Sequence, residues 1–135
     1  MVKKTKPKKD PGLAFAKEIA AHASKIKAHD IKILDLTKLK TFADYFVIAT
    51  GMSDRQVEAI ADSIVVGEKK KGRIPLGVEG YDHAQWIIVD YGDVIAHIFY
   101  QSMREIYSIE KLWSDARVIR YRQTRKKPAV SKKAK

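Results

Sequence analysis

Cysteine is missing from all 135 residues, which removes disulfide frameworks, thiolate nucleophiles and cysteine-ligated zinc, and fits a reducing compartment. Long apolar runs are missing as well: no stretch approaches the ~20 residues that a helix needs to cross a bilayer. The early lysines Lys3, Lys4, Lys6, Lys8 and Lys9 precede no apolar segment of signal-peptide type. A mitochondrial presequence would favour Arg and Ser at amphipathic spacing over this Lys and Pro. A soluble, cytoplasmic protein is the expectation. Acidic residues are missing from one region: residues 118–135 hold eight basic side chains and no acidic one.

That last absence locates the charge. Residues 1–29 hold eight basic and two acidic side chains, whereas residues 30–117 hold 11 basic and 14 acidic. The formal net charge of +11 therefore sits at the two ends, around an acidic middle. A pI near 9.8 suggests nucleic acid as a partner, but only for the ends. Residues 1–12 and 119–135 are expected to be basic disordered tails, and residues 13–118 one domain with a single core.

Within that domain Leu13, Ala16, Ile19, Ala20, Ala23 and Ile26 recur at helical spacing, predicting a helix that ends near His29. Asp30 to Leu36 and Tyr45 to Thr50 are rich in β-formers and predict two strands. Ser53 and Gln56 form a capping box ahead of a helix whose apolar stripe is Val57, Ile60, Ala61, Ile64 and Val65. Lys69, Lys70 and Lys71 suit its C-terminal dipole. A connector punctuated by Gly72, Pro75, Gly77 and Gly80 leads to a hairpin of Trp86–Val89 and Val94–Phe99, and Ser102 to Ala116 reads as one or two short helices. The order predicts an α/β single domain with a mixed sheet of about five strands, flanked by helices.

A two-residue hairpin loop at Tyr91-Gly92 would set Asp90 opposite Asp93 and Trp86 opposite His97. One face would then carry Ile87, Val89, Val94, Ala96 and Ile98, all core; the other would carry Trp86, Ile88, Asp90, Asp93, Ile95, His97 and Phe99. Carboxylates facing each other across a strand pair repel, so the tip is either well solvated or matched to a basic partner. His97 beside Trp86 reads first as a packed histidine. The Gly51-Met52-Ser53 turn before a helix has a geometry phosphate likes, but no paired carboxylates follow it to hold the cations of phosphoryl transfer. The four histidines have no metal-ligand spacing, and there is neither a Walker-type loop nor a nucleophile elbow. No enzyme activity, metal or cofactor is expected.

Several blocks in order carry a resemblance: Ala43-Asp44-Tyr45-Phe46-Val47-Ile48-Ala49-Thr50-Gly51, Ser53-Asp54-Arg55-Gln56-Val57, Ala59-Ile60-Ala61-Asp62, Glu79-Gly80, Trp86, Asp90-Tyr91-Gly92-Asp93-Val94, His97-Ile98-Phe99, Arg104, Tyr107 and Leu112-Trp113-Ser114-Asp115-Ala116. Over roughly residues 13 to 118 the chain resembles the ribosomal silencing factor family, also called Iojap-like. The resemblance implies a nucleotidyltransferase-like shape without catalytic residues, in a bacterial cytoplasmic protein. It implies binding to the large ribosomal subunit via large-subunit protein fourteen, which blocks joining of the small subunit and represses translation under nutrient limitation. The alternatives it leaves are a large-subunit assembly factor and a nucleotide-binding nucleotidyltransferase-like enzyme. A homodimer is compatible with it; a membrane or a small-molecule substrate is not implied.

A ribosomal protein is basic and surrounded by RNA phosphate, so its adaptor needs carboxylates and aromatic anchors. On that reasoning Glu79, Trp86, Asp90, Tyr91, Asp93, Trp113 and Asp115 are the expected docking residues, with Trp113 also compatible with a core role. Lys3, Lys4, Lys8, Lys9, Arg122, Arg125, Lys126 and Lys127 in the tails are expected to meet ribosomal RNA.

Overall fold

A computed structural model describes residues 10–39, 41–107 and 115–121. It opens on helix α1 (Pro11–Lys25), whose start is fixed by Asp10: the carboxylate accepts the N–H groups of Gly12 and Leu13 and, at 2.5 Å, the Tyr45 hydroxyl. That hydroxyl bond, more than the backbone ones, holds the Asp10 carboxyl below its usual pKa. The helix stops short of His29. Lys27 takes φ +63°, and the N–H groups of Lys27 and Ala28 turn back to the carbonyls of Ser24 and Ala23 in a Schellman turn.

Strands β1 (His29–Asp35) and β2 (Tyr45–Gly51) follow, then α2 (Asp54–Lys69), β3 (Gly77–Glu79), β4 (Trp86–Asp90), β5 (Val94–Tyr100), α3 (Gln101–Tyr107) and β6 (Arg117–Arg120). The sheet runs β3-β4-β5-β2-β1-β6, antiparallel throughout except for the parallel pair β2 and β5. A parallel pair needs a crossover, and α2 lies within that connection. The single-domain α/β class with a mixed sheet is as expected, but the sheet has six strands, not about five. The added edge is β6, which pairs with β1 and runs through residues 119 and 120, assigned by sequence to the C-terminal tail. Of the expected terminal helices, α3 is described over Gln101–Tyr107, and residues 108–114 of that stretch lie outside the described residues.

Ser53 caps α2 by accepting the Gln56 N–H at 3.0 Å, while the Gln56 side chain accepts the Met52 N–H and donates to the carbonyls of Ile26 and Lys27. One residue thus closes the start of α2 and the end of α1 together. Both helices cover the same side of the sheet, burying Ile33, Val47, Ala49, Ile87, Val89, Ala96 and Ile98 against Ala16, Ile19, Ala20, Ile60, Ala61 and Ile64. The other side gathers Leu34, Leu36, Phe46, Ile48, Ile95 and Phe99, with Trp86, Ile88 and Met103 of α3 packed against them. β2 is buried along its whole length, as a central strand covered on both faces must be.

Two charged clusters sit inside this frame. Glu68 of α2 has no exposed side-chain surface and pairs with His22 of α1 at 2.9 Å and with Arg73 at 3.6 Å. Arg73 also pairs with Glu18 at 3.5 Å and lies 4.2 Å from the Phe15 ring centre, and Lys71 pairs with Glu18. On the other side, the buried Arg104 of α3 donates to the Asp30 carbonyl at 2.7 Å and to Thr50 Oγ1 at 2.5 Å. Asp30 has φ +50°, at the register shift of β1, so Arg104 holds the irregular end of β1 to β2.

Candidate functional site

The β4–β5 hairpin organises the candidate site. Its register pairs Trp86 with Phe99, Ile87 with Ile98, Ile88 with His97, Val89 with Ala96 and Asp90 with Ile95. The expected pairing of Asp90 with Asp93, and of Trp86 with His97, is corrected: the loop is Gly92-Asp93, one residue further on. The reason is local. Asp90 turns its carboxylate onto the Gly92 N–H at 2.7 Å, Gly92 takes φ +91°, and the Tyr91 N–H bonds to the Val94 carbonyl. Asp93 is left in the loop, where its carbonyl accepts the N–H groups of Asp44 and Tyr45. Because the partners shift by two residues, the expected sorting of side chains between faces survives.

Of the expected docking residues, the structure gathers three on the sheet face away from α1 and α2. Trp86 and Asp90 alternate with the core positions of β4, and Glu79 of β3 stands across from Ile88. Asp115 is exposed in the turn before β6, next to Ala116, which packs into the same face. Tyr91 lies on the opposite side. Its ring meets Phe15 of α1 edge-on at 5.1 Å, and burial, with the Glu68 charge adding to it, pushes its pKa up to about 12. Trp113 and the tail residues Lys3, Lys4, Lys8, Lys9, Arg122, Arg125, Lys126 and Lys127 lie outside the described residues.

The indole of Trp86 rests against Phe99 and His97. It stacks on Phe99 with ring centres 5.0 Å apart, and its Nε1–H donates to His97 Nδ1 at 3.1 Å. His97 is 5% exposed, edge-on to Phe46 at 4.5 Å, and burial pulls its pKa down to about 4, so it is neutral at pH 7. Since Nδ1 accepts, the proton is on Nε2, which is buried and meets no hydrogen-bond acceptor among the described residues. The histidine is packed, as expected, but only half satisfied.

Sequence reasoning missed the apolar side chains beside Glu79. Ile74, Leu76 and Val78 are exposed by 63%, 77% and 39%, on and just before the sheet-edge strand β3. Their alternation was the available signal, masked by Pro75 and Gly77 between them. A cleft of about 570 Å³ opens at the hairpin tip, between Asp10, Phe15, Asp44, Arg73, Tyr91 and Asp93. At the Gly51–Ser53 turn the Ser53 hydroxyl and the Met52 N–H are already bonded to Gln56, and exposed Asp54 follows, so the turn is poorly suited to phosphate. Among the described residues no three potential metal-ligating side chains cluster, and no helix is long and apolar enough to cross a membrane.

Comparison with known proteins gives a consistent picture. The family model described as "Ribosomal silencing factor during starvation" matches residues 9–135. A ribosomal silencing factor RsfS from Bacillus subtilis is 43% identical over 103 residues, covering 76% of this chain and 87% of the relative. The chloroplastic protein Iojap of Zea mays is 34% identical over 77% of this chain and 45% of its own length. A crystal structure of a Chromobacterium violaceum protein superposes with a TM-score of 0.73 at 37% identity, covering 76% of this chain and 85% of that one.

Proposed function

The chain belongs to the ribosomal silencing factor family, and from that premise we propose that it docks on the large ribosomal subunit through large-subunit protein fourteen. Occupying that surface blocks joining of the small subunit and so represses translation when nutrients are limiting, in the cytoplasm of a bacterium. The observation that carries this reading is the shared placement of Glu79, Trp86 and Asp90 on one sheet face. An aromatic anchor framed by carboxylates suits a basic protein surface and suits RNA poorly. The action needs no catalytic step, only occupancy.

The test is gradient sedimentation of separated ribosomal subunits with and without the protein. Comigration with the large subunit and loss of joined ribosomes are expected; absence of either ends the proposal. Reversing Glu79 and Asp93 together (Glu79→Lys, Asp93→Lys) should weaken large-subunit binding roughly tenfold. Asp90 is the wrong residue to reverse, because its carboxylate shapes the hairpin loop. A chain that binds RNA through its tails alone would be indifferent to the pair.

The tails form the second half of the proposal. Residues 1–9 and 122–135 add nonspecific affinity for ribosomal RNA, and each phosphate neutralised steepens the fall of log affinity with log salt. Removing both segments should flatten the salt dependence of large-subunit binding; an unchanged slope rules the role out. The deletion stops short of residues 10 and 121 because Asp10 caps α1 and the Tyr121 N–H bonds to Ile31 in β1.

A further inference from the structure

We propose that His97 is a positioning residue for docking: by accepting the indole N–H it fixes the plane and direction of Trp86 before a partner arrives. The inference rests on the reading of Trp86 as a docking anchor. His97 is otherwise hard to account for. It occupies a strand position surrounded by Phe46, Phe99 and Trp86, where an aliphatic residue would pack without polar cost, and its Nε2–H is left buried without an acceptor among the described residues. A side chain that weakens the core at one nitrogen and accepts a hydrogen bond at the other is placed for that bond.

The bond runs diagonally across the strand pair, from Trp86 to a residue two positions before its direct partner Phe99. Stacking on Phe99 fixes the separation of the rings, and the bond to Nδ1 fixes the direction in which the indole N–H points. An anchor held in its binding orientation avoids the ordering cost that a mobile tryptophan would incur on association. His97 itself is buried and touches no partner. It acts through Trp86.

Two substitutions separate positioning from packing. His97→Leu removes the acceptor along with the unsatisfied Nε2–H, so the melting temperature should hold or rise while large-subunit affinity falls about tenfold. His97→Asn puts its side-chain oxygen near the place of Nδ1, so affinity should return to within about threefold of the original even where stability does not. The indole N–H of Trp86, assigned by its disappearance in Trp86→Phe, gives a readout without ribosomes: protected from exchange in the unmodified chain and in His97→Asn, and exposed in His97→Leu. Unchanged affinity or unchanged exchange in His97→Leu overturns the proposal, as does recovered exchange protection in His97→Asn without recovered affinity. Should the unmodified chain fail to sediment with the large subunit, the docking reading falls, while the exchange measurement still decides whether His97 holds the ring.

Discussion

Replacing His22 with alanine should cost about 3–5 kcal/mol of folding stability, among the largest effects available to a single side chain in this domain. Glu68 has no exposed side-chain surface, and its carboxylate depends on His22 at 2.9 Å; the other partner, Arg73, stands at 3.6 Å and is half exposed. One carboxylate oxygen, Oε1, already lacks a hydrogen bond. Without the imidazole a buried charge is left to one distant cation, and a domain of this size should melt more than ~12 °C lower. The cost belongs to the orphaned carboxylate and not to the lost packing, which the pair His22→Leu with Glu68→Met makes visible: it should recover most of the loss. Urea denaturation of the three proteins decides it. A loss under ~1 kcal/mol for His22→Ala would mean that water or Arg73 already supports Glu68.

The same contact shows where sequence reading stops. Gly67 interrupts the apolar stripe of α2, where glycine weakens a helix, and nothing nearby in sequence explains it. In the fold a Cβ there would stand 2.4 Å from the His22 ring, so the glycine makes room for the histidine that reaches Glu68. The elements themselves were legible, because β-branched runs and the Ser53 cap are local signals. So was the grouping of Trp86 with Asp90, because side-chain parity along a strand survives a two-residue shift in register. Parity also places Tyr91 with Val89 and Ile87 on the helix side, and grouping it with Trp86 as a docking residue set its position in the loop above that rule. β6 was hidden for another reason. Arg-Val-Ile-Arg at residues 117–120 merges with a basic tail in sequence, and only its pairing with β1, more than eighty residues away, makes it a strand.

Gly80→Ala should damage fold and docking together, and its effect should exceed that of any exposed substitution near the site. Gly80 has φ +84°, and a Cβ there would sit 2.0 Å from the Trp86 carbonyl oxygen. The backbone conformation alone costs an L-residue about 1–2 kcal/mol. The contact is with backbone at the start of β4, so no side-chain rotation relieves it; the turn from Gly80 to Ala84 has to move. That turn is already constrained: Ala84 is buried at φ +54°, and its N–H bonds to the Gly80 carbonyl at 3.0 Å. Moving it shifts Trp86 relative to Phe99 and His97. The expected result is a stability loss of at least ~3 kcal/mol, with large-subunit binding reduced more than tenfold at temperatures where the protein remains folded. Ala84→Gly makes the opposite change, relaxing the strained residue next to the same strand, and should stabilise by about 0.5–1 kcal/mol. If Gly80→Ala binds the large subunit as the unmodified chain does while folded, the placement of Trp86 by this turn has no part in docking.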